Sequence, residues 1–143
     1  MTSATATRVP SVTAARPKVN ELLRYAVIAG CAASVGVHVG IIPAHVDEGA
    51  IAEVAAFAAS SAVLAVLAFL VSDARWDTWA PAAAAAFLGA VAVAYLLSRT
   101  AGLPWLVTDP EPFDLTGLVS VAAELTSAAA GIALFLRTRK DHP

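Results

Sequence analysis

VAAFAASSAVLAVLAFLV, Val54 to Val71, decides the fold: its eighteen residues include no acid, no lysine and no arginine. A helix rises about 1.5 Å per residue, so about 20 apolar residues cross a hydrocarbon core of about 30 Å. A helix in a soluble bundle needs a polar stripe to face water, and this one has none. Three similar runs accompany it. Tyr25 to Val46 and Thr78 to Ser98 lack acid, Lys and Arg, and Leu115 to Leu136 is interrupted only by Glu124. The chain is 59% hydrophobic and 14% charged, against about 45–50% and about 25% in soluble domains.

The expected architecture is therefore an all-α polytopic membrane protein, an antiparallel up-down bundle of four transmembrane helices. The helices fall at about residues 22–42, 49–71, 79–98 and 114–136, within a transmembrane domain spanning 21–137. Residues 1–20 read as a flexible cytoplasmic tail and 138–143 as a short second tail. The first run is longer than the 7–15 apolar residues of a signal peptide, so it reads as a retained helix. Pro43 is expected to end or kink it, while Pro81 sits in the first turn of helix three, where proline is tolerated.

Charge gives the expected orientation. Eight of the nine basic residues fall on one side, with Arg99 the exception, if both termini are cytoplasmic. Seven of the eleven acids gather on the other side: Asp47, Glu48, Glu53, Asp109, Glu111, Asp114 and Glu124. Such an acidic mouth concentrates cations. The expected location is the plasma (inner) membrane. Trp76 and Trp79 at one boundary and Trp105 at the other suit an aromatic belt.

Polar residues within the spans carry the functional reading. Cys31, Ser34, His38 and His45 form one stripe of helix one; the lone cysteine reads as a buried, inert thiol. Gly36 and Gly40 form a GxxxG pair on nearly the opposite face, suited to a second membrane protein or a second copy. Helix two offers Glu53 and Ser60. Helix four gives the clearest pattern, Gly117, Ser120, Glu124, Ser127 and Gly131, small or polar throughout and centred on a carboxylate. Gly117 and Gly131 read as helix-packing positions. Helix three is nearly free of polar side chains until Ser98 and Arg99 and reads as a scaffold. A carboxylate this deep costs about 2.5–3.5 kcal/mol even on the lenient insertion scale, so Glu124 should face protein or water and mark function.

Around it stand His38…Pro43–Ala44–His45–Val46–Asp47–Glu48, then SRTAGLP from Ser98 to Pro104, then Glu111–Pro112. This pattern resembles a family of small actinobacterial four-helix integral membrane proteins. The resemblance covers most of the membrane part and implies a fold and a residue set, without an activity.

Three functions compete. In the first, the protein is a non-catalytic accessory or assembly subunit whose outward-facing His/Glu cluster locks helices one, two and four; Arg99 and Glu111 would form a structural ion pair. In the second, His38, His45, Glu48 and Glu124 ligate a divalent transition metal, with Glu53, Ser34, Ser120 and Ser127 supporting them. In the third, Glu124 relays protons. No cofactor is otherwise implied. Haem is disfavoured because His38 and His45 share one helix and His142 lies in the tail. No nucleophile, CxxC or phosphate-loop motif marks an enzyme, and the scattered basic residues give no case for nucleic acid.

Overall fold

The structure is a computed structural model that describes residues 16–104 and 109–141, with side chains between 19 and 140. It is all-helical: α1 spans Arg16–Asp47, α2 Ile51–Ser72, α3 Ala80–Thr100 and α4 Leu115–Asp141, with a 3₁₀ turn at Ala74–Trp76 before α3. All four α-helices are long and apolar enough to cross a membrane. The chain is thus a multi-pass membrane protein by composition and element length. α1 packs most extensively against α2 and α4, and α3 against α4.

Helix ends depart from the sequence expectation in physical ways. α1 begins at Arg16, so the last five residues of the expected tail are helical, as Lys, Arg and Glu favour. The earlier tail residues, together with Trp105 and His142, lie outside the described residues. α4 likewise runs through Arg137–Asp141 rather than giving way to a tail. Pro43 does not end α1, which continues one more turn to Asp47. This close to the C-terminus, a missing N–H costs one helical hydrogen bond. The actual stop is Gly49. Its φ of 74° lies in the left-handed region, and Gly49 N–H donates to Val46 O while Ala50 N–H donates to His45 O. This is a Schellman closure, which needs a residue without a Cβ penalty.

The core is made of small and branched side chains. Val27 and Cys31 of α1 meet Leu64, Leu67 and Val71 of α2, Ala84, Ala85 and Leu88 of α3, and Ala128 of α4. Glycines set how near the helices come. At Gly131 an added Cβ would lie 2.7 Å from Pro81 O and 3.1 Å from Ala85 Cβ, so α4 touches the α3 backbone there. At Gly30 it would overlap the Ser127 side chain, which marks the close approach of α1 and α4. Gly36 and Gly40 meet nothing within 4 Å among the described residues, so none of the helices α2 to α4 sits on that pair.

One end of the bundle is tied by Arg24, which donates to Val71 O at 2.6 Å and to Asp77 at 2.7 Å. Arg137 donates to Asn20 at 2.9 Å and the Thr138 hydroxyl to Asp77 O at 3.2 Å. Trp76 and Trp79 meet edge to face at this end, both exposed.

Candidate functional site

At the end of the bundle opposite Arg24, a cavity of about 500 Å³ lies between the helices. Glu124 forms its floor because helix four presents every third or fourth residue to the bundle, and it is only 2% exposed. Ser34 donates to Glu124 Oε1 at 2.7 Å from α1, and Ser120 donates to the same oxygen at 3.1 Å from one turn earlier in α4. Both bonds land on Oε1. Oε2 accepts none among the described residues.

Above the floor the wall is aromatic. His38 stacks on Phe57 with ring centroids 5.5 Å apart and 27° between planes, and His45 meets the same ring edge-on at 5.0 Å. His38 Nδ1 is buried without a hydrogen-bond partner. His45 Nδ1 lies 3.0 Å from Ile41 O, and its Nε2 lies 3.1 Å from Glu53 Oε2. Each ring nitrogen of His45 thus has an oxygen within hydrogen-bond distance.

The far rim is a second polar network, in which Arg99 Nε is buried without a partner among the described residues. Arg99 donates to Glu111 and, at 3.2 Å, to Asp114, and its guanidinium lies 4.9 Å from the centroid of the Tyr95 ring. Tyr95 in turn lies against Asp114, its hydroxyl donating to the carboxylate at 3.2 Å. Asp114 is the N-cap of α4: its Oδ1 accepts from Gly117 N–H at 2.7 Å. That bond, the Tyr95 hydroxyl and Arg99 hold its carboxyl below the ordinary 3.8. Gly117 earns its place here, since a Cβ would overlap the Tyr95 ring.

The structure thus distributes the expected residues in a particular way. His38, His45, Glu48 and Glu124 all line the one cavity. Among the described residues, however, no three His, Cys, Asp or Glu side chains come together as a metal-binding group. His45 is turned to Glu53, and Glu48 lies exposed at the rim. Ser34 and Ser120 support Glu124, whereas Glu53 supports His45 instead. Ser127 also departs from its expected role, donating to Ala26 O at 3.1 Å because the Gly30 contact draws it toward α1.

Two contributions escaped the sequence reading. Helix three is not merely scaffold: Val91, Ala94, Tyr95 and Arg99 line the cavity. Phe57, between Glu53 and Ser60 on one face of α2, organises both histidines. The available signal was the i, i+4 spacing of Tyr95 with Arg99 and of Glu53 with Phe57.

Comparison with protein-family models, with curated proteins and with solved structures finds no match to this chain.

Proposed function

We propose that the protein is a non-catalytic, multi-pass component of the plasma (inner) membrane whose cavity binds a small cation with an N–H donor head. In this reading the bundle is antiparallel and up-down, both termini are cytoplasmic, and the cavity opens to the outer face. The bias of lysine and arginine supports that orientation.

The observation that carries the proposal is Glu124 Oε2, a carboxylate oxygen that accepts no hydrogen bond among the described residues, at the floor of the cavity. The guanidinium at the cavity, Arg99, is already engaged by two carboxylates, Glu111 and Asp114, and His45 faces Glu53. An excess of carboxylate remains at Glu124 and Glu48. An ammonium supplies what is missing, because it carries a charge and donors together. Phe57 and Tyr95 add aromatic lining to the cavity. A volume of about 500 Å³ fits an organic ion better than a bare metal, lying within the roughly 300–1,000 Å³ of small-molecule pockets.

The test is thermal unfolding in phosphatidylcholine nanodiscs with benzylammonium as the probe and benzyl alcohol as its neutral match. At about 100 times Kd a single-site ligand stabilises by about 2.7 kcal/mol. The ammonium should raise the melting temperature, and the alcohol should not. Equal shifts from both, or none from either, would defeat the reading.

A second reading keeps the protein as an assembly subunit. It is favoured by the open Gly36–Gly40 face, which leaves room for a partner helix at backbone distance. Leucine at both positions should then release a co-purifying membrane protein, or dissociate a second copy, while leaving benzylammonium binding intact.

A further inference from the structure

A thin wall stands between the cavity and the bilayer-facing side of the bundle. Val37, Thr116 and Ser120 line it, and the same three residues line a second hollow of about 360 Å³ on the outside of the bundle. That hollow is a groove between α1 and α4, completed by Ala33, Leu115, Val119 and Ala123. Ala33, Leu115 and Val119 are exposed, and both walls belong to membrane-spanning segments. Apart from the two hydroxyls the groove is apolar. A single layer of side chains, Val37, Thr116 and Ser120, therefore separates the groove from the cavity that holds Glu124.

We infer that the ligand is a membrane-dissolved amphiphile with a protonated amine head, which enters sideways between α1 and α4. The inference rests on the binding reading above. The head donates to Glu124 Oε2 inside the cavity while an aliphatic chain lies along Ala33, Val119 and Ala123. The division of chemistry argues for one molecule with two ends. The cavity offers a carboxylate and aromatic rings, and the groove offers aliphatic side chains with only the Thr116 and Ser120 hydroxyls among them. Small residues at Ala33 and Ala123 leave the groove wide enough for a methylene chain. A soluble amine would need only the cavity and its mouth.

The experiment uses dodecylammonium carrying a mid-chain diazirine, reconstituted with the full chain in phosphatidylcholine nanodiscs. Light-induced adducts are located by mass spectrometry. The expected adducts concentrate on residues 115–123 and 33–37. Unlabelled dodecylammonium should suppress them about tenfold more effectively than dodecanol at equal membrane mole fraction, as a charge-assisted bond to the carboxylate implies. Glu124→Gln should lose that preference. Val119→Trp should fill the groove and cut labelling while leaving benzylammonium binding unchanged.

Adducts spread evenly over the lipid-facing sides of α2 and α3 would overturn the inference. So would equal competition by dodecanol, which marks the groove as a general site for lipid chains. In either case retained benzylammonium binding leaves the cavity reading standing, and its loss removes both.

Discussion

The closeness of α3 and α4 at Gly131 makes a quantitative prediction when set against Gly36. Alanine at either position gains the same intrinsic helix propensity, about 1 kcal/mol relative to glycine. The difference between the two variants therefore isolates what the new methyl group meets. At Gly36 it meets nothing within 4 Å. At Gly131 it lies 2.7 Å from Pro81 O, a backbone atom in the first turn of α3, and 3.1 Å from Ala85 Cβ. Carbon and oxygen approach comfortably only to about 3.3–3.6 Å, so the two helices must separate by more than half an ångström, on the order of the shortfall. Neither neighbour is the far end of a flexible side chain. Overpacking of this kind costs about 1–3 kcal/mol. Gly131→Ala should therefore be less stable than Gly36→Ala by that amount, about 5- to 150-fold in the unfolding equilibrium. Denaturant titration in micelles, followed by the fluorescence of the tryptophans, measures it. Equal stability of the two variants, or a more stable Gly131→Ala, would refute the packing described for α3 and α4.

Other predictions concern the polar networks. Glu124→Gln should fold normally, because an amide oxygen still accepts from Ser34 and Ser120; Glu124→Leu should lose about 1–3 kcal/mol for each hydroxyl left unpaired, read by the same titration. Asp114→Ala should cost about 0.5–2 kcal/mol as a lost cap. Because the folded carboxyl of Asp114 lies below its ordinary value, the cap's stabilisation is present above about 3.8 and disappears as pH falls through the folded value. An acid titration of wild type against Asp114→Ala should show their stabilities converging in that window. Arg24→Met should cost about 1–3 kcal/mol, since it strips donors from both Val71 O and Asp77, and a melting curve checks it.

Much of this arrangement was legible in the residues. Charge-free runs of membrane length give four spanning helices, and they do so without any assumption about packing. Glu124 was legible as a group in need of partners because it is a carboxylate inside an apolar run. The expected ligand set, however, joined it to His38, His45 and Glu48, whereas its hydrogen bonds come from Ser34 and Ser120, read only as supporting residues. Phe57 and Tyr95 were not legible, since an aromatic residue on an apolar helix has the same pattern whether it packs against a neighbour, a cavity or lipid. The contact glycines were only partly legible. Gly131 and Gly117 lie on the small-residue stripe of α4, but the glycine of α1 that meets α4 is Gly30 rather than Gly36 or Gly40. The GxxxG spacing records room for a helix, not which helix fills it. The ends of α1 and α4 were misplaced for a simpler reason: Lys, Arg and Glu mark the edge of the bilayer while remaining good helix formers, so the helix outlasts the membrane span.

The pairing of His45 with Glu53 rather than Glu48 has consequences for any ion in the cavity. His45 is two residues past Pro43 in an unbroken helix, so its ring is directed at the first turn of α2. Glu48 lies beyond the end of α1, in the turn closed by Gly49. The i, i+3 spacing of His45 and Glu48 thus straddles a helix end, which is why it fails to present both groups together.

The most direct test of the central claim is a calorimetric titration of benzylammonium into wild-type and Glu124→Gln protein in phosphatidylcholine nanodiscs. The cavity account predicts saturable binding of one ammonium per chain to the wild type, weakened about tenfold or more by the amide. Identical isotherms for the two proteins would contradict it.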